Sequence, residues 1–265
     1  MLYGAMNFPV RPILEQVKAV AAGGFDYLEL AMDPPRAHHK LIREQKRDLL
    51  EALDKAGMAL VCHLPTFLST ADLTDSLRKA SIKEMLESLD VAAELRPLKV
   101  VLHPSYVTGL GVFVMEQSRQ YALESLEAVV EKADSLGLVL GLENMFPRTR
   151  YMTDPAEFAE VFERFPTLKM TLDTGHANIG GRGDKKAIDF IQQFSDRIVH
   201  IHANDNFGKE DNHLPVGAGT VDFQKIVKAL KNIGYNQTVT LEVFSQDREY
   251  LSISREKFAA MIEGL

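Results

Sequence analysis

Three features of the sequence predict an α/β protein built as one closed barrel of eight strand–helix units. Apolar runs of strand length recur along the whole chain, and they are near-continuous rather than alternating, which is typical of parallel strands covered on both faces. Segments with apolar residues at helical spacing lie between these runs. The length of 265 residues suits a single barrel, which typically has about 250.

The predicted strands are the eight apolar runs, and each is followed by a loop and a helical pattern. They cover Tyr3–Phe8, Tyr27–Met32, Ala59–Leu64, Lys99–His103, Leu138–Asn144, Lys169–Asp173, Ile198–Ala203 and Val239–Phe244. The two clearest helices are predicted over Ser76–Leu95 and Glu116–Leu136, where apolar side chains recur every three or four residues.

Helix ends are marked by characteristic boundary residues. In "TDPAEF", Asp154 is predicted to cap a helix, Pro155 suits its first position and Glu157 its third. Glycines that end a helical stretch just before a strand, where a left-handed residue is favoured, are Gly57, Gly137 and Gly234. Eight right-handed units close into a (β/α)8 TIM barrel, predicted as a single domain over residues 1–265. An open doubly wound sheet fits less well, because "NFPVRP" after the first strand lacks a glycine-rich phosphate loop.

Composition and charge narrow the classes of function. With 46% hydrophobic and 25% charged residues, the chain has a globular composition, and its formal net charge of -7 argues weakly against a nucleic-acid binder. The lone cysteine, Cys62, excludes an internal disulfide and is predicted to be a buried strand residue. No secretory signal or uncharged apolar span of about 18 residues is visible, so a cytoplasmic location is expected.

Potential metal ligands stand at or just after the ends of six consecutive predicted strands. They are His63, His103, Glu143, Asp173, His176, His202, Asp211, His213 and Glu242. A barrel brings the carboxyl ends of its strands to one mouth, and burying so many ionisable groups there costs free energy unless a cation compensates. Imidazoles mixed with carboxylates suit zinc, manganese or iron(II) better than magnesium or calcium. The sequence therefore predicts one to three divalent metal ions per chain.

Other polar residues have plainer interpretations. His38 and His39 lie in a polar stretch that enters a helix, and both are expected to face solvent. His200 is one pleat deeper than His202 on the same strand face, where it either supports the metal ligands or fills space. Arg182 in "GGRGD" is a candidate substrate-binding residue, and a flexible connection before a helix is the alternative for this segment.

Four motifs carry a resemblance to a known superfamily: "LGLEN", "LDTGHANIG", "HIHANDN…DNHLPVGAGTVDF" and "TLEVF". With them the chain resembles the xylose isomerase-like TIM-barrel superfamily, which includes sugar phosphate isomerases and epimerases and the endonuclease IV group. The resemblance to ketose epimerases implies that one divalent metal is held by Glu143, Asp173, His202 and Glu242. The resemblance to endonuclease IV implies further zinc ligands at His63, His103, His176, Asp211 and His213.

The resemblance implies two competing activities. In a metal-dependent sugar or sugar phosphate isomerase/epimerase, the metal-bound catalytic residues Glu143 and Glu242 would work through an enediolate, while His176 and Arg182 hold substrate oxygens. In an endonuclease IV-like zinc phosphodiesterase acting on abasic-site DNA, Glu143 would bridge two metals. The first activity is preferred, because the chain is acidic, lacks tryptophan and has Gly175 where the nuclease pattern has cysteine. A barrel that binds a sugar without turnover is a third possibility.

Overall fold

A computed structural model describes residues 1–180 and 184–264, and in these ranges eight parallel strands close into a barrel in chain order, with the last strand paired to the first. The strands are β1 (Leu2–Met6), β2 (Tyr27–Ala31), β3 (Ala59–His63), β4 (Val100–Leu102), β5 (Leu140–Glu143), β6 (Lys169–Asp173), β7 (Ile198–Ala203) and β8 (Thr238–Leu241). The predicted (β/α)8 TIM barrel is therefore confirmed.

The helices surround this barrel and lie between or after its strands. Within the described ranges they are α1 (Ile13–Ala22), α2 (His39–Ala56), α3 (Asp75–Leu95), α4 (Met115–Ser135), α5 (Pro155–Arg164), α6 (Thr174–Asn178), α7 (Asp184–Gln193), α8 (Phe223–Asn232) and α9 (Glu249–Gly264). None of the helices in these ranges combines the length and the low polarity that crossing a membrane requires.

The residues predicted to begin or end helices are found in those positions. Asp154 and Glu157 form a reciprocal capping box around Pro155 at the start of α5. The three predicted helix-ending glycines all have left-handed backbone angles, with φ of 64° at Gly57, 68° at Gly137 and 68° at Gly234. The strand predictions ran too long at several ends; β4 stops at Leu102 and β8 at Leu241, because the chain leaves the hydrogen-bonded ladder as it enters the loop.

One surface prediction was wrong. His39 is only 1% exposed, because the start of α2 packs against α3, where His39 Nε2 lies 3.0 Å from Glu84 Oε2. His38 is partly exposed and contacts the same carboxylate oxygen. The polar sequence around the two histidines hid this burial, since the helix that covers them is more than 30 residues away in the chain.

The barrel interior changes from apolar to polar along the strands. At its lower end Tyr27, Val61 and Val101 form an apolar cluster, while Cys62 points the other way into the main core and is buried as predicted. Gly4 leaves room for the Tyr27 ring, since a Cβ there would lie 2.1 Å from Tyr27 Cε2. Two residues further along the same face of β2 comes a buried glutamate, and above this level ionisable side chains fill the barrel.

Candidate metal centre

Four predicted ligands meet at the upper end of the barrel. Glu143 and Asp173 end β5 and β6, His202 lies in β7, and Glu242 directly follows β8. One ligand atom from each lies within 4.8 Å of the others, and all four side chains are buried. Neighbouring parallel strands bring their carboxyl ends to one level, so residues spread over 100 positions of the chain converge here.

Several ligand atoms of this quartet lack hydrogen bonds. Both carboxylate oxygens of Glu143, Nδ1 of His202 and Oε2 of Glu242 are buried without a hydrogen-bond partner. His202 Nδ1 lies 3.3 Å from Glu143 Oε1 and 3.4 Å from Glu242 Oε2. Each buried unpaired polar atom costs about 1–3 kcal/mol. Across residues 1–180 and 184–264, no lysine or arginine forms an ion pair with these carboxylates, so the donor set fits a divalent cation that would satisfy all of them together.

Glu143 also belongs to a second group of potential ligands. His103 Nε2 lies 3.1 Å and His63 Nε2 3.7 Å from Glu143 Oε2, whereas the other oxygen, Oε1, faces His202 and His176. The His63, His103 and Glu143 ligand atoms lie within 4.8 Å of one another. The Glu143 carboxylate is thus shared between two adjoining sets of imidazoles, an arrangement that a bridging carboxylate requires.

A third contact set surrounds Asp211 in the loop after β7. Asp211 Oδ2 lies 3.2 Å from His176 Nε2 and 2.9 Å from His213 Nε2. Burial alone would raise the pKa of Asp211, but hydrogen bonding to the two imidazoles lowers it below its usual value. Burial would lower the pKa of His213, yet the Glu242 and Asp211 carboxylates raise it to about 9.

The outer ring nitrogens of these histidines are held by fixed acceptors. Nδ1 of His63, His176 and His213 lies 2.8, 2.9 and 3.1 Å from a main-chain carbonyl oxygen. A carbonyl only accepts, so each Nδ1 carries a proton and donates it. If a cation replaces the Nε2 proton, the Nε2 lone pair becomes available to it, and this is the tautomer that a metal ligand needs.

Glu29 is a central residue that the sequence analysis missed. Its Oε1 lies 2.9 Å from His202 Nε2 and its Oε2 3.0 Å from His200 Nε2, while the Thr240 hydroxyl also donates to Oε2. Burial would raise the pKa of Glu29, but the His202 and His200 imidazoles lower it well below its usual value. Glu29 therefore orients His202, and His200 supports the ligand level from below. One glutamate in the otherwise apolar strand "YLELA" was the available signal.

The pKa values of two glutamates in the quartet are shifted in opposite directions. Burial would raise the pKa of Glu143, but the His202 and His103 imidazoles lower it well below its usual value. Burial raises the pKa of Glu242 to about 7, and the Asp173 and Glu143 carboxylates add to the rise against the opposing imidazoles. The two carboxylates thus differ in proton affinity although they lie beside the same imidazole.

Asp173 is positioned by Asn204, and Gly175 makes this possible. Asn204 Nδ2 donates to Asp173 Oδ2 at 2.8 Å, and the main-chain N–H of His176 donates to Asp173 Oδ1 at 2.5 Å. A Cβ at position 175 would lie 1.8 Å from Asn204 Oδ1. The glycine that distinguishes this chain from the nuclease pattern therefore creates the space for a side chain that holds a candidate ligand.

Above the ligands lies an open cleft of about 290 Å³. Its floor includes His63, His103, His176, Asp211, His213 and Glu242. The aromatic side chains on its walls are Phe8, Phe67, Tyr106, Phe146 and Phe244. Arg182, the other predicted substrate-binding residue, lies outside the described residues. The volume is at the lower end of the range of small-molecule sites, about 300–1,000 Å³.

Replacing Glu29 is expected to weaken metal binding without removing a ligand. In Glu29→Gln, the amide is a weaker acceptor for the Nε2 proton of His202, so the affinity for Mn²⁺ or Zn²⁺ should fall about 10–100-fold. Competition with a chelator of known affinity measures this change. Glu15→Gln, the same change at an exposed position of α1, should keep the native affinity. Unchanged metal affinity in a folded Glu29→Gln protein would contradict the role of Glu29.

Adding one methyl group at Gly175 is expected to displace Asn204. Gly175→Ala should lower the free energy of unfolding by about 1–3 kcal/mol, the usual cost of overpacking, as measured by urea denaturation. The matched control introduces Gly175→Ala into Asn204→Ala, where the obstructing amide is gone and the cost should be much smaller. Equal costs on the two backgrounds would show that contact with Asn204 is not the cause.

Comparisons with known proteins agree with this architecture. Residues 17–263 match the family described as xylose isomerase-like TIM barrel. The uncharacterized protein MJ1311 of Methanocaldococcus jannaschii is 29% identical, over 98% of this chain and 92% of its own length. The L-ribulose-5-phosphate 3-epimerase UlaE of Escherichia coli O1:K1 / APEC is 24% identical, over 89% and 84%. The structure of a D-tagatose 3-epimerase-like protein superposes with a TM-score of 0.86 and 27% identity, over 99% and 97%. The chain belongs to the xylose isomerase-like TIM-barrel family.

Proposed function

We propose that this protein is a divalent-metal-dependent epimerase or isomerase of a ketose sugar. The observation that carries the proposal is the buried quartet of Glu143, Asp173, His202 and Glu242, with its unpaired ligand atoms, below a cleft of small-molecule size. The similarity to UlaE and to the D-tagatose 3-epimerase-like protein supports sugar epimerisation as the reaction. The mixed donor set favours zinc or manganese.

In this reaction two carboxylates exchange a proton with the substrate carbon beside the carbonyl. Glu242 borders the cleft with 6% of its surface exposed, whereas Glu143 is fully enclosed beneath it. One glutamate removes the C–H proton to give an enediolate, and the other returns a proton to the opposite face. A bound divalent cation would supply Lewis-acid polarisation of the substrate oxygens. His176 borders the cleft and would hold a substrate hydroxyl.

An endonuclease IV-like phosphodiesterase is the second candidate, and one observation favours it. Glu143 is shared between two imidazole sets, and Asp211 adds a third, which matches what chemistry on a phosphodiester with several metals requires. The narrow aromatic cleft and the net charge of -7 favour the sugar. The epimerase activity in the name of UlaE points the same way.

Solvent exchange distinguishes the two activities. In D2O the protein is expected to introduce deuterium at the epimerised carbon of a ketose, and Glu242→Gln should slow this exchange by at least about 100-fold, because a proton-transfer group is lost. Nuclear magnetic resonance of the recovered sugar measures it. Glu163→Gln, an exposed position on α5, is the matched control. Metal-dependent nicking of abasic-site DNA, with no exchange into any ketose tested, would contradict the epimerase.

The number of metal ions needed for activity is a separate test. After removal of metal with a chelator, epimerisation should be absent and should return fully with one equivalent of Mn²⁺ or Zn²⁺ per chain, because the quartet alone provides the four ligands. The measurement is a titration of activity against added metal, with bound metal determined by elemental analysis. A requirement for two or three equivalents of zinc would instead support the phosphodiesterase.

A further inference from the structure

A second cavity opens beside the cleft and shares a wall with it. It has a volume of about 210 Å³ and lies between the β1–α1 and β8–α9 connections. Residues that line both spaces are Met6, Asn7, Phe8 and Phe244. Arg11 and Arg248 line this cavity but do not line the cleft. The epimerisation chemistry described above uses neither arginine.

A buried amide holds one of the arginines in place. Gln16 is only 2% exposed, and its Oε1 accepts a hydrogen bond of 2.6 Å from Arg248 Nη2. The same oxygen accepts the main-chain N–H of Phe8 at 3.1 Å. One fixed acceptor thus ties the two connections together and positions the guanidinium. A guanidinium whose position is fixed in advance loses less side-chain entropy when it binds an anion.

The two guanidinium groups form an uncompensated positive pair. Within residues 1–180 and 184–264, neither Arg11 nor Arg248 makes an ion pair with a carboxylate. The nearby Asp247 uses Oδ1 to accept the main-chain N–H of Glu249 at 2.9 Å. Burial and, after it, the charge of Arg11 lower the pKa of Arg248. Two cations side by side at a cavity attract an anion, and arginine recognises phosphate through several charge-assisted hydrogen bonds.

We propose that this cavity, flanked by Arg11 and Arg248, binds the phosphate group of the substrate, which is therefore a phosphorylated ketose rather than a free sugar. This inference rests on the proposed sugar epimerase function. Glu242 in the cleft and Phe244 on the shared wall are two residues apart, and Arg248 follows four residues later. Because the two spaces share a wall, a single ligand can extend from the cleft into this cavity, with its carbonyl carbon near the carboxylates and its terminal phosphate beside the arginines.

The test combines equilibrium binding with turnover in the metal-loaded protein. Inorganic phosphate binding is measured by calorimetry in the native protein, in Arg11→Gln, in Arg248→Gln and in Arg148→Gln. Arg148 is exposed in the loop after β5 and does not border this cavity, so it is the matched charge control. kcat/KM is measured for a ketopentose 5-phosphate and for the same ketopentose without phosphate.

The expected result is specific to phosphate. Each cavity variant should bind inorganic phosphate roughly 10–100-fold more weakly, and kcat/KM should fall by a similar factor for the ketopentose phosphate only. Arg148→Gln should match the native protein in both assays. Equal phosphate affinity in all four proteins would overturn the proposal even if free ketoses are epimerised, and would leave the epimerase function intact. If no ketose reacts and the two arginines instead serve abasic-site DNA binding, the ketose phosphate assignment fails together with the proposed function.

Discussion

The structure around the barrel mouth depends on one electrostatic constraint, which is the burial of several carboxylates with imidazoles as their only basic partners in the described part of the chain. Asp173 shows the cost of this arrangement. Burial raises its pKa, and the Glu143 and Asp211 carboxylates add to the rise against the opposing imidazoles. Ion pairs with lysine or arginine would have lowered this cost, but their N–H groups would also have occupied the lone pairs of the carboxylate oxygens. Leaving them unfilled is what makes the mouth receptive to cations.

The remaining polar network serves to direct those lone pairs. Backbone carbonyls select the ring tautomer of the loop and strand-end histidines, and Glu29 does the same for His202 from inside the barrel. Asn204 aligns Asp173, and Asp205, the next residue, accepts four main-chain N–H groups that shape the loop before α8. The motif "HIHANDN" therefore mixes ligand, positioning and loop-forming residues within seven positions.

Sequence patterns predicted the barrel well because its strands are buried on both faces and its helices have regular boundaries. The same regularity placed the nine candidate ligands at strand ends, where the fold brings them together. Residues whose surroundings come from distant segments were beyond this reasoning. Glu29 makes its hydrogen bonds to histidines of β7, and His39 is buried by α3. Arg248 is positioned by Gln16, which lies over 200 residues earlier in the chain. A one-dimensional pattern carries no information about such pairings.

The ligand set alone does not select one reaction, because Glu143 is oriented equally well for one cation or as a bridge between two. We infer the reaction from the shape and charge of the two spaces above the ligands. Aromatic walls leave a cleft of about 290 Å³, a volume near the lower end of the range for small-molecule sites. In the proposed arrangement the adjoining arginine cavity adds one subsite for an anion, whereas a DNA-binding surface requires many phosphate contacts along a strand. Under this proposal the cleft takes the carbonyl end of the ligand and the cavity takes its terminal phosphate.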